Sequence, residues 1–259
     1  MKRLLTVFFL FVVYNSFSQE FQLAPPMLKY NSVFFSDSAA FSVVFSQPGT
    51  AVYYTLNGSE PKENDLLYKT SVTISKRTIV KVKAIGKAYL PSETISAEFI
   101  KNGKPVKSIQ YSTPNESYAN AKGDILNDDI GGIPNYRSGT WIGYDRDTVE
   151  INIELKKNEK INTVLIDLLQ DENSWIFLPE QVLVNYYDKN RNAYVPFGKE
   201  VFFNERPSPK QCSIREIRAK TRVTTNKLYL VLYTVRKIPE WHIAKGNHAW
   251  LFIDEIKVY

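Results

Sequence analysis

The sequence predicts an all-β protein built as sandwiches, and three observations predict it. Apolar and polar residues alternate almost everywhere after residue 28, no segment beyond ten residues shows a convincing 3.6-residue period, and aromatic residues make up 14% of the chain. Alternation places every second side chain on one face, as a half-buried strand requires, and aromatic side chains suit a pleated surface. The segments SVVFSQ (42–47), AVYYTL (51–56), SVTIS (71–75), TIVKVKAI (78–85), TVEINIEL (148–155), NTVLIDLL (162–169), QVLVNYYD (181–188), KLYLVLYTV (227–235) and LFIDEIKVY (251–259) each read as strands.

The chain opens with Lys2 and Arg3 before an apolar run from Leu4 to Val13, followed by small residues at Ser16 and Ser18. This is the pattern of a secretory signal peptide over residues 1–18. The apolar run is shorter than the roughly 20 residues that span a bilayer, and no second run of that length follows. A secreted or periplasmic protein without a transmembrane segment is expected. No cysteine stands near the cut to carry a lipid, and the single cysteine, Cys212, excludes an internal disulfide.

Turn signals divide the remainder. Gln47-Pro48-Gly49, Asn57-Gly58 and Lys87 to Pro91 space the strands of residues 19–100, a length that suits an immunoglobulin-like sandwich. KNGKPVK (101–107) reads as a linker, and residues 108–259 are long enough for a jelly-roll sandwich with long loops, where function in such folds usually sits. The formal net charge of +6 comes from lysines and arginines dispersed among acids, so it reads as solvated surface, and nucleic acid is not an expected partner.

In AVYYTLNGSEP, Asn57-Gly58 supplies the positive φ of a tight turn, Ser59 and Glu60 can bond back to the loop, and Pro61 stops the strand. These residues resemble the small immunoglobulin-like domain near the C-terminus of chitobiases and bacterial β-hexosaminidases, with Asn57 in place of the usual aspartate. The blocks WIGY (141–144), SWIFLP (174–179), PEWH (239–242) and AWLFIDEI (249–256), in that order, resemble the discoidin-like, galactose-binding-like domain that follows it in family 20 β-hexosaminidases. The resemblance covers nearly all of 108–259. It implies a structural calcium ion, with Asp128 and Glu255 matching an aspartate and a C-terminal glutamate of the ligand set. Leu126-Asn127-Asp128-Asp129 departs from the family's pattern by losing a glycine.

All four tryptophans fall in this second region. Trp250, inside an alternating strand, reads as core, whereas Trp141, Trp175 and Trp241 flank glycines, prolines or polar clusters. An exposed ring can stack on the apolar face of a sugar while neighbouring polar groups bond its hydroxyls. The candidate ligand-binding set is Arg137, Trp141, Tyr144, Asp145, Asn173, Trp175, Trp241 and His242. In SWIFLP, Ile176 and Leu178 are expected to face inward.

The (β/α)8 barrel that carries the catalytic Asp-Glu pair of the family 20 enzymes is absent from this sequence, and the acid pairs Asp128-Asp129, Asp171-Glu172 and Asp254-Glu255 are sequence neighbours that a strand would turn to opposite faces. His242 and His248, the only histidines, lack the spacing of a zinc helix. The reading is a non-catalytic carbohydrate-binding protein recognising an amino-sugar or galactose-like glycan. The alternatives are a docking module for a separate glycoside hydrolase and, behind it, β-N-acetylhexosaminidase activity.

Overall fold

A computed structural model describes residues 21–119 and 125–259, so the expected signal peptide lies outside the described residues. The fold is all-β: fifteen strands and three short 3-10 turns, with no α-helix among the described residues and no helix long and apolar enough to cross a membrane. The first eight strands are β1 (Met27–Tyr30), β2 (Phe34–Phe35), β3 (Ala39–Val44), β4 (Thr50–Thr55), β5 (Leu66–Leu67), β6 (Val72–Ile74), β7 (Thr78–Gly86) and β8 (Ile95–Lys101). The next seven are β9 (Val106–Tyr111), β10 (Ile142–Tyr144), β11 (Thr148–Gln170), β12 (Gln181–Asp188), β13 (Ala193–Val201), β14 (Gln211–Tyr233) and β15 (Leu251–Val258).

Two compact units form. The first holds the described residues up to Leu28, with Val43–Thr70 and Val80–Ser96. In it β4 pairs antiparallel with both β5 and β7. Its signature turn is closed internally: Gly58 has φ 77°, and Asn57 Oδ1 accepts from the Ser59 amide (3.0 Å) and hydroxyl (2.7 Å). Glu60 accepts from Lys83 Nζ (2.7 Å) and from Thr94, contacts that hold its carboxyl below the usual range. Asn57, Ser59 and Glu60 thus brace the hairpin.

The second unit holds Lys29–Ser42, Ser71–Ile79 and Ala97–Tyr259. In it β3 pairs with β6, β2 pairs parallel with β8, and β9–β15 form one seven-stranded sheet. At about 3.3 Å per residue, the 23-residue strands β11 and β14 would each run about 75 Å if straight, several times the usual strand length. They bend instead. Their register shifts between Glu154 and Glu159 and again between Ile161 and Thr163, and irregularities of this kind are where paired strands turn a corner.

The bend splits the sheet into two layers. Residues 148–155 of β11 lie between β9 and the end of β14, which continues to β12 and β13. Residues 163–170 lie between the start of β14 and β15, which continues to β10. Val149, Ile151, Ile153 and Leu155, with Leu228, Leu230 and Leu232, meet Val164, Ile166, Leu168, Ile253 and Ile256 in a single core. The first layer alternates because its outer face meets water. The second is buried on both faces: Leu165 packs outward on Phe34 and Ile100, and Leu169 on Trp141, Ile176 and Phe252. VLIDLLQ (164–170) and all of β15 are therefore buried without a break.

Sequence patterning separates 148–155 from 162–169 and stops at residue 226 going backwards from KLYLVLYTV; in the structure both pairs of segments are single strands. The charged run IREIRAKTRV (214–223) hides its part in β14 because only Ser213, Ile217 and Thr225 of residues 211–226 are fully buried. The stretch 101–107 is tied to β15. The Lys104 amide donates to Val258 O (2.6 Å), and a Cβ on Gly103 would sit 1.9 Å from that oxygen.

Leu230 is fully buried at the centre of the core, so Leu230→Ala should lower unfolding stability by about 3 kcal/mol in a urea titration, whereas Leu66→Ala, half exposed, should change it by less than about 0.5 kcal/mol. Cys212 gives a second check. Burial, with Asp167 and Asp254 nearby, pushes its thiol up to about 12, and its Sγ donates to Gly132 O (3.2 Å). At pH 8 it should react with an aromatic disulfide roughly a thousandfold more slowly in the folded protein than in urea; a rate within tenfold would mean that the thiol is not withheld from solvent.

Candidate functional site

The paired strands bring several loops to one end of the second unit. Thr148 pairs with Tyr233, Gln170 with Gln211, and Gln181 with both Val201 and Tyr233. One short stretch, 249–250, ties both ends of the bent ladder: the Ala249 amide donates to Val235 O (3.0 Å) and the Trp250 amide to Trp175 O (2.8 Å). The connections 145–147, 171–180, 202–210 and 234–250 therefore meet.

The loop after β11 carries SWIFLP. Asp171 and Ile176 exchange backbone hydrogen bonds (3.0 and 3.1 Å), and Ile176, Phe177 and Leu178 are buried. Trp175 caps the intervening 3-10 turn with φ 63° and ψ 22°, a left-handed conformation uncommon for a bulky side chain, and is 40% exposed. The Phe177 and Leu178 anchor turns the cluster inward, and the left-handed residue turns Trp175 out.

Two further loops are laced to this one. Trp241 Nε1 donates to Asn204 O (2.9 Å), and Asn204 Nδ2 donates to Leu178 O (3.1 Å). The Ser208 amide donates to Glu172 Oε2 (2.9 Å), and Lys210 Nζ lies 2.8 Å from Asp171 Oδ2. His242 Nε2 donates to Glu172 O (3.0 Å) while its Nδ1 accepts from the Ala244 amide (3.0 Å), a pattern that fixes the Nε2–H tautomer. From this braced frame Phe203 and Ile243 project, 80% and 97% exposed. The same end carries polar side chains. Asp147 holds His248 Nε2 (3.1 Å) and Arg236 Nε (3.4 Å), and Asp145 accepts from Asn115 Nδ2 (3.0 Å).

The residues singled out from sequence sort by depth. Asn173, Trp175 and Asp145 are exposed at this end. Arg137 is exposed with its guanidinium 5.1 Å over the Tyr136 ring, which reaches the same end through Tyr118 and Trp250. Trp241 and His242 are braces: Trp241 is half-buried on Phe177, and His242 is 8% exposed with both ring nitrogens bonded inside. Trp141 and Tyr144, expected to face a ligand, are buried. Trp141 donates its Nε1 to Ile133 O (2.9 Å), and Tyr144 lies in the main core, where burial raises its phenol well above the usual range. Phe203 and Ile243 escaped sequence reading because nothing in FFNERP or WHIAKG distinguishes an exposed apolar residue from a core one.

The second pair expected as ligands, Asp128 and Glu255, lies on the outer face of the second layer. Calcium takes about six to eight oxygens. Asp128 Oδ1 accepts from the Ile130 amide (2.9 Å), and Glu255, fully buried, has Lys257 Nζ 2.7 Å from its Oε2, an ion pair without hydrogen-bond alignment. Among the described residues no group of three or more His, Cys, Asp or Glu side chains is placed to hold a metal. Asp167 and Asp254 are buried nearby; burial and neighbouring acids push them up to about 7 and about 10, so Asp254 holds its proton at neutral pH. Burial raises Glu255 to about 7, against the pull of Lys257.

The family model described as Fn3 associated matches residues 43–99, under half of the chain. No curated protein matches. The chain is similar in structure to a family 32 carbohydrate-binding module of a family 31 glycoside hydrolase from Clostridium perfringens, at 14% identity and TM-score 0.40 over 60% of this chain and 90% of that one. It is similar to the family 32 module of EndoD from Streptococcus pneumoniae, at 14% identity and TM-score 0.39 over 61% and 98%. It is also similar to a family GH29 fucosidase from Ruminococcus gnavus, at 16% identity and TM-score 0.36, over 59% of this chain but only 24% of the fucosidase. At these scores the likenesses assign no ligand to this chain.

Proposed function

We propose that this chain is a secreted or periplasmic, non-catalytic carbohydrate-binding protein whose second region, 108–259, holds a glycan at the loop end, with residues 19–100 as a spacer module. The observation that carries this reading is the exposure of Trp175 and Phe203 on two loops that hydrogen bonds lock to one another. Rings held rigidly in water lose little entropy on stacking against the apolar face of a sugar, and binding favours such pre-organised contacts. Asn173, Asp145, Asp147, Arg236 and His248, on or beside the connections that meet at this end, offer donors and acceptors suited to hydroxyl groups. The sequence blocks that resemble the hexosaminidase accessory region point to an amino-sugar or galactose-like residue as the ligand. A hydrolytic role finds no support in Asp167, Asp254 and Glu255, which are buried.

The docking alternative draws on one particular residue. Ile243 offers no ring to a sugar yet is almost wholly exposed, and an aliphatic side chain so placed suits a protein partner such as a separately encoded glycoside hydrolase.

A glycan array with the purified protein, followed by calorimetric titration of the best sugar, separates the two. Glycan binding in the micromolar to millimolar range should weaken by about tenfold in Trp175→Ala and in Phe203→Ala, the loss of about 1.4 kcal/mol each, and should change little in Ile243→Ala. Arg137→Ala and Asp145→Asn report on polar side chains at the loop end. Absence of binding to any glycan at high protein concentration, with the fold intact by circular dichroism, would overturn the carbohydrate reading and favour docking.

A further inference from the structure

We propose that the ammonium of Lys257 does the work of a bound cation in this chain, fastening the turn 126–129 to β15 so that the second unit is stable without calcium. The inference is independent of what the loop end binds. Lys257 has a side chain 4% exposed, and its Nζ lies 2.5 Å from Asp129 Oδ1, 2.7 Å from Glu255 Oε2 and 3.4 Å from Asn127 Oδ1. The Phe34 ring, centred 5.7 Å away, closes a further side. A buried ammonium is costly without partners, and this one has two carboxylates, an amide oxygen and a ring face.

The turn's geometry fits the same role. Asp129 has φ 65°, the left-handed conformation that glycine adopts most easily, and the Ser32 hydroxyl donates to its carbonyl (2.7 Å). The sequence lacks the glycine that the resembled family places here. The residue in its place keeps the turn and adds a carboxylate that reaches Lys257. A divalent ion coordinated by Glu255 would have to share that carboxylate with an ammonium already in contact with it, and like charges so close repel. A cation beside the Asp128 and Glu255 pair would therefore have to compete with Lys257 for Glu255.

The test is thermal unfolding of the purified protein in millimolar calcium chloride and in EDTA. The wild-type midpoint should differ by less than about 2 °C between the two, since a ligand stabilises only in proportion to its binding to the native state. Lys257→Met should lower the midpoint by roughly 10 °C, because it strands the carboxylates of Asp129 and Glu255, and calcium should recover part of that loss. If Lys257→Met does not fold, the double variant Lys257→Met/Asp129→Asn should recover soluble protein by removing a stranded acid. A wild-type midpoint that rises by several degrees with calcium, or falls in EDTA, would overturn the proposal, as would a Lys257→Met variant as stable as the wild type.

Discussion

The second unit depends on the antiparallel ladder between β11 and β14. Two strands of 23 residues cannot lie flat in a domain of this size, so they fold over together at their register shifts and supply both layers of the sandwich. Once that bend is made, the positions of the other elements follow from pairing. β9 and β12 flank the ladder in one layer and β15 flanks it in the other, and both ends of the ladder come to the same stretch at Ala249 and Trp250. The convergence of four connections at one end is a consequence of that bend.

Burial of both faces of the second layer is the next consequence, and it sets the local chemistry. Polar side chains that the strand pattern turns outward, Asp167 and Glu255, meet protein there where an exposed face would offer water. Each must be answered from within. Lys257 pairs with Glu255, and burial with neighbouring acids leaves Asp254 protonated at neutral pH, while among the described residues one Asp167 oxygen and both Asp254 oxygens have no hydrogen-bond partner. The close approach of the 130–141 segment is possible because residue 132 has no side chain: a Cβ there would stand 2.1 Å from the Trp141 ring. Packing and electrostatics at this face are one arrangement.

The loop end shows the converse economy. Trp241 and His242 spend their polar atoms on backbone carbonyls and amides of other loops, which holds those loops in place, and Trp175 sits at a left-handed turn that the surrounding hydrogen bonds maintain. Residues read from sequence as ligand contacts thus divide into braces, exposed side chains and core residues. Tryptophan and histidine between proline and polar residues look alike in either role, because the distinction depends on what lies across the loop.

The sequence by itself determined the all-β class and the Asn57-Gly58 turn, because alternation and turn chemistry are local properties that near neighbours along the chain decide. It also determined that Ile176 and Leu178 face inward. Only the tertiary structure decided that the segments 148–155 and 162–169 are one bent strand, that Trp141 and Tyr144 are buried, and that Phe203 and Ile243 stand in water. It alone decided, too, that Lys257 meets Asp129, 128 residues away in sequence. These outcomes rest on contacts between distant segments, and a residue's type and its sequence neighbours carry no record of which distant surface will cover it.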